Sequence, residues 1–119
     1  MAPTTLNTEV LCARLVPQEG AAVVSLVGTA DARAARRLPA WLAEAHRWIV
    51  EKCVPEIVVD LTELQFMSSA CFREIVKWVT GSSGSRIRFL IKPQSHWQQK
   101  SVRAIVALSD GHASIEEKR

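Results

Sequence analysis

A chain of 119 residues with 48% apolar content has room for one domain around one core. Fifteen basic against twelve acidic residues leave a net charge of +3, which does not call for nucleic acid or a membrane surface, where a clustered basic face is usual. Three cysteines, Cys12, Cys53 and Cys71, form an odd set without CxxC spacing, which excludes a disulfide framework and implies reduced thiols in or near the core of a cytoplasmic protein.

Residues 1–9 are polar, with neither the basic nor the apolar region of a signal peptide, and are expected to form a flexible N-terminus. Val10–Val16 reads as a first strand, Pro17-Gln18-Glu19-Gly20 as a turn and Ala21–Val27 as a second strand, giving an antiparallel hairpin closed off by Gly28. Asp31 then offers a capping carboxylate to a long helix whose apolar stripe is Leu38, Trp41, Leu42, Ala45, Trp48 and Ile49. Pro39 is harmless only in a first turn, so the helix is expected to begin near Arg36 or to kink there. Arg33, Arg36 and Arg37 crowd that N-terminus against the preference of the helix dipole. Pro55 stops the helix after Lys52.

Glu56–Leu61 is an apolar, β-branched third strand ending next to Asp60. A polar passage, Thr62–Gln65, leads to the apolar anchors Phe66 and Met67 and then to adjacent serines, Ser68 and Ser69. Beyond them the spacing of Phe72, Ile75, Val76 and Val79 predicts one buried face of a helix over Ser69–Thr80. The serines thus sit at a helix N-terminus, where hydroxyls cap free N–H groups and negative charge is favoured. A Gly/Ser loop over 81–85 precedes a fourth strand, Arg86–Lys92, stopped by Pro93. A third helix follows, capped at Ser95, with Trp97, Ser101, Ala104, Ile105 and Leu108 on one face and Ser109-Asp110-Gly111 closing it. Ala113–Ile115 suits a short last strand, and 116–119 is a charged tail. No run is long enough to span a bilayer.

The order β-β-α-β-α-β-α makes the strands joined through helices parallel, with right-handed crossovers, in a mixed sheet of four to five strands. Their carboxyl ends share one edge, where open α/β sheets place function. Three loops meet there, and the topology brings Asp31, the three arginines, Ser68 and Ser69 to one rim.

The segment Asp60-Leu61-Thr62…Phe66-Met67-Ser68-Ser69-Ala70-Cys71 resembles the signature of the STAS domain, the fold of bacterial anti-sigma factor antagonists, which reads roughly Asp-Leu-Ser, spacers, Phe-Met-Asp-Ser-Ser-Gly-Leu. Ser69 falls in register with that family's phosphorylated serine; Ser68 stands at the usual Asp, Ala70 at a common second Ser and Cys71 at the usual Gly. Leu26-Val27-Gly28-Thr29-Ala30-Asp31 is similar to the family's Gly-x-apolar-Asp turn after its second strand. The resemblance implies a STAS-like domain over 10–115 that acts by partner switching. In that scheme the unphosphorylated domain binds an anti-sigma factor, often a serine protein kinase. Phosphorylation at Ser69, or at Ser68 if the register is off by one, releases it, and a phosphatase resets it. The implied partner surface comprises Asp31, Arg33, Arg36, Ser68, Ser69, Cys71 and Arg73.

From position alone Ser69 reads as a helix cap, and the arginines as a solvated surface. A non-switching scaffold subunit and a small-ligand or nucleotide-binding domain are the alternatives, the first favoured by the altered Ser68–Cys71 centre and the second by the rim as a ligand site. His46, His96 and His112 lack ligand spacing, no Ser-His-Asp arrangement or carboxylate pair can be argued, and Gly28 lacks the Gly-Lys-Ser/Thr of a phosphate loop. A binding module without cofactor or metal, and not an enzyme, is expected.

Overall fold

The computed structural model describes residues 5–8, 10–81, 84–109 and 111–117. Seven strands and three helices are found there: β1 Thr5–Asn7, β2 Leu11–Gln18, β3 Ala21–Ala30, α1 Ala34–Glu51, β4 Glu56–Asp60, β5 Leu64–Met67, α2 Ser69–Thr80, β6 Arg86–Ile91, α3 His96–Leu108 and β7 Ala113–Glu117. The sheet runs β1-β2-β3-β4-β6-β7. β1 and β2 pair antiparallel, as do β2 and β3, whereas β3–β4, β4–β6 and β6–β7 are parallel.

The mixed α/β architecture is as expected, but the sheet has seven strands in place of four to five. Thr5–Asn7, expected to be part of a flexible terminus, pairs with Cys12–Arg14. β7 extends through Glu116 and Glu117, assigned above to the tail. The helix-closing Asp110 lies outside the described residues. β5 falls in the segment expected to be a polar passage and an anchor. It takes over from β4 along the same edge of β3, pairing with Gly28, Thr29 and Ala30 across a register shift at Gly28. β3 consequently runs to Ala30, and Gly28 bends the strand without ending it.

Every parallel crossover steps the same way across the sheet, from β3 to β4, β4 to β6 and β6 to β7. Right-handed connections in one direction put all the helices on one face. α1 packs on α2 and α2 on α3, and strand residues alternate accordingly. Leu11, Ala13 and Leu15 of β2, Ala22, Val24 and Leu26 of β3, and Ile87, Phe89 and Ile91 of β6 are buried beneath the helices. α1 contributes Leu38, Trp41, Leu42, Ala45 and Ile49, as its stripe predicts, with Trp48 of that stripe only partly buried. The helix starts at Ala34, two residues before the expected Arg36, and Pro39 lies inside it.

Two helical faces differ from expectation. α2 buries Cys71, Ile75, Trp78 and Val79, so Phe72 and Val76 flank the contact instead of centring it. α3 buries Gln98, Val102 and Ile105, leaving Ala104 and Leu108 exposed. Its real face was hidden because a buried glutamine does not read as apolar.

α1 ends in a Schellman motif: the Cys53 N–H donates to Val50 O and the Val54 N–H to Ile49 O, both at 3.1 Å. Cys53 holds φ +52 at the position where glycine is usual, and it is exposed, where a thiol in or near the core was expected. Cys53→Gly removes a left-handed penalty of about 1–2 kcal/mol. It gives back about 0.5–1 kcal/mol through unfolded-state entropy. A small rise in Tm is expected in a thermal melt; a fall would show that the thiol packs favourably.

Candidate functional site

The carboxyl ends of β3 and β5 lie side by side, and each feeds a helix. Ser68 N–H donates to Ala30 O at 2.8 Å, fixing the end of one strand to the start of the next helix. Ser68 has extended backbone (φ −69, ψ 160) and its hydroxyl accepts from the Cys71 N–H at 3.2 Å, so Ser68 is the cap of α2. Ser69 is therefore the first helical residue, and it is exposed. The capping function expected of Ser69 belongs to its neighbour, because two adjacent serines satisfy the pattern equally well and only the backbone dihedrals separate them.

Asp31 caps the facing helix. Its Oδ1 accepts from the Arg33 and Ala34 N–H groups at 3.0 and 3.1 Å, and its Oδ2 pairs with the Arg33 guanidinium at 3.0 Å. The Ala34 amide, followed by the Arg33 side chain, holds this carboxyl below the usual aspartate range. Asp31 thus offsets the basic cluster that crowds the helix start. Its carbonyl also accepts from Cys71 Sγ at 3.3 Å, a second tie between the two helix starts.

Cys71, grouped above with partner-facing residues, is fully buried beneath the rim and not on its surface. Burial pushes its thiol pKa up, which keeps it protonated and able to donate to Asp31. Arg36 and Arg73 are exposed on the two helices, as is Arg33 just before the first of them. Arg37 donates to Asn7 O at 3.1 Å and so ties α1 to the edge strand β1.

The rim is braced from below. Asp60 Oδ1 accepts from both the N–H and the hydroxyl of Thr62, at 2.9 and 2.6 Å, turning the chain from β4 into β5. Buried Gln98 then joins two loops through three hydrogen bonds: its Nε2 donates to Leu61 O at 2.7 Å and Leu64 O at 2.9 Å on the β4–β5 connection, while its Oε1 accepts from the Lys92 N–H at 2.9 Å on the β6–α3 connection. Nothing in the apolar periodicity marks Gln98; a polar residue on the core-facing phase of α3 is the only sign.

Phe66, expected to anchor the chain, is 51% exposed on β5, three residues before Ser69. A cavity of about 510 Å³ lies farther along the rim, lined by Gly28, Thr62, Leu64, Lys92, Trp97 and Gln98 among others. Among the described residues no group of three or more His, Cys, Asp or Glu side chains is placed to hold a metal ion. No helix there is long and apolar enough to cross a membrane.

The fold is that of anti-sigma factor antagonists. An anti-sigma factor antagonist from Mycobacterium paratuberculosis superposes with a TM-score of 0.64 at 16% identity, over 86% of each chain. The anti-sigma factor antagonist SpoIIAA in its unphosphorylated form gives 0.63 at 16% identity, over 90% of this chain and 89% of that one. An uncharacterised protein with a SpoIIAA-like fold from Shewanella loihica gives 0.58 at 15% identity, over 95% and 90%. No family model matches the chain, and no curated protein matches it significantly. Identity at this level establishes architecture, and function has to be argued from the site.

Proposed function

We propose that this protein is a cytoplasmic anti-sigma factor antagonist that works by partner switching, binding an anti-sigma factor or serine protein kinase through the rim and released by phosphorylation of Ser69. The observation that carries this reading is the division of labour between the two serines. Ser68 spends its hydroxyl on the helix cap, while Ser69, one residue later, is exposed at the first turn of α2. A fold shared with antagonists, one of them described in an unphosphorylated form, supports the same reading.

The chemistry is electrostatic. Phosphate adds about −1.5 to −2 charges at neutral pH. At the N-terminus of α2 it meets free N–H groups and the positive end of the dipole, worth about 0.3–1 kcal/mol at an exposed site, so the fold tolerates it. An interface built for a neutral hydroxyl does not, because a desolvated, unpaired charge costs several kcal/mol. Exposed Phe66 supplies the aromatic anchor beside the switch, and Arg33, Arg36 and Arg73 supply rim charge.

Treatment with ATP and the kinase that co-purifies with the protein tests the acceptor. Mass spectrometry should place one phosphate on wild type and on Ser68→Ala, and none on Ser69→Ala. Phosphate persisting on Ser69→Ala would move the acceptor to Ser68; no phosphate on any form would leave a non-switching scaffold. The rim cavity favours a second reading, a small-ligand domain, which a ligand-dependent rise in Tm of the protein alone would reveal.

A further inference from the structure

α1 and α2 both start at the rim and run back along the sheet side by side, so both positive dipole ends point the same way. Between them lies a groove of about 230 Å³ floored by Pro39, Leu42, Ala43 and Trp78 and edged by His46, Glu74 and Lys77. Arg36, Pro39, Ala43 and His46 follow one another at helical spacing on α1; Ser69, Arg73 and Lys77 do the same on α2. Arg36, Arg73 and Lys77 are exposed, as is Ala43 on the floor.

The charge is uneven. Residues 31–40 and 68–77 together hold five cations (Arg33, Arg36, Arg37, Arg73 and Lys77) against two carboxylates, Asp31 and Glu74, and one of the five, Arg37, is engaged at Asn7 of β1. That surplus equals the net charge of the whole chain, so the remainder of the sequence is balanced. The two carboxylates pair with two of these cations, Asp31 with Arg33 and Glu74 with Lys77, and both cations are exposed, so each pair is weak.

We propose that this groove docks an acidic amphipathic helix of a partner protein, its apolar stripe on Pro39, Ala43 and Trp78 and its carboxylates towards Arg36, Arg73 and Lys77. Helix-in-groove recognition lays an apolar stripe on an apolar floor, and the flanking charge here is positive in sum, with Glu74 the carboxylate in the lining. The proposal deepens the partner-switching reading and rests on it in one respect: phosphate on Ser69, one helical turn before Arg73, would take up the cations that the incoming carboxylates need.

Fluorescence anisotropy with a labelled synthetic helix tests the groove without the natural partner. The probe carries a leucine stripe flanked by glutamates; the controls are its lysine-flanked twin and a scrambled sequence of the same composition. The glutamate helix is expected to bind, to weaken with added salt, and to lose about tenfold in affinity on Lys77→Glu, the scale of one close charge pair. Ala43→Trp, which fills an exposed part of the floor, should weaken it by at least as much. Equal binding of the twin or the scrambled peptide, or unchanged affinity in both variants, would overturn the proposal. So would a dimer of the protein alone that Ala43→Trp dissociates, which would give the groove to a second copy. Ser69→Asp separates the two claims. Weaker peptide binding supports the coupling, whereas unchanged binding keeps the groove as a docking site and removes Ser69 as its switch.

Discussion

Gly28→Ala is expected to cost roughly 3–5 kcal/mol, a large part of the stability of a domain this size. Two effects add. Gly28 has φ +104, where an alanine is strained by about 1–3 kcal/mol. A Cβ there would also sit 2.2 Å from Val10 O, a backbone atom already fixed by the Thr29 N–H at 2.8 Å. Relief requires β2 and β3 to separate at the bulge where β5 joins, so the rim would loosen too. Gly20→Ala is the control: φ is +73 but nothing lies within 4 Å of the added carbon, so only the strain remains. Chemical denaturation should show a much lower midpoint for Gly28→Ala at an unchanged slope, and a smaller loss for Gly20→Ala. Equal losses at the two positions would mean that the bulge yields.

The second large effect is expected at Gln98. Gln98→Leu keeps much of the volume but leaves Leu64 O and the Lys92 N–H without their side-chain partner, whereas Leu61 O keeps the Leu64 N–H at 3.0 Å. An orphan costs about 1–3 kcal/mol when buried and less at the part-buried Lys92 amide, so a loss of roughly 2–5 kcal/mol follows. Gln98→Glu gives the sharper test. An ionised carboxylate would still accept from Lys92 but would face two carbonyl oxygens in a buried site, which raises its folded-state pKa above the unfolded value. The variant should therefore be most stable at low pH, where the protonated acid donates to a carbonyl. That advantage is lost as pH rises through the raised pKa, a stability profile opposite in slope to that of a paired carboxylate. A pH-independent loss would show that the triple bridge does not hold the loops.

These two residues also mark where the sequence stops being legible. The apolar runs of β3, β4 and β6 announce a buried sheet, and alternation of strands with helices fixes parallel pairing, so the meeting of Asp31 with Ser68 and Ser69 at one rim could be read in advance. β5 could not. It pairs with only three residues of β3, and its own residues, with Gln65 and Phe66 exposed, show no alternation. Gly28 looked like a strand end because glycine marks bulges and ends alike. On α3 the packing is centred on a glutamine that hydrogen bonding, not hydrophobicity, draws inside. The face of α2 turned because Trp78 occupies the α1 side, which apolar spacing with Phe72 and Val76 could not reveal.

Calorimetric titration of wild type, Ser69→Ala and Ser69→Asp against the co-purified partner tests the central claim most directly. The three forms should melt within a few degrees of one another, since the changed side chain is exposed at the helix start. Wild type and Ser69→Ala should bind alike, and Ser69→Asp should lose several kcal/mol of affinity, two or more orders of magnitude in Kd. Binding of Ser69→Asp as tight as that of wild type would contradict a charge switch at this position.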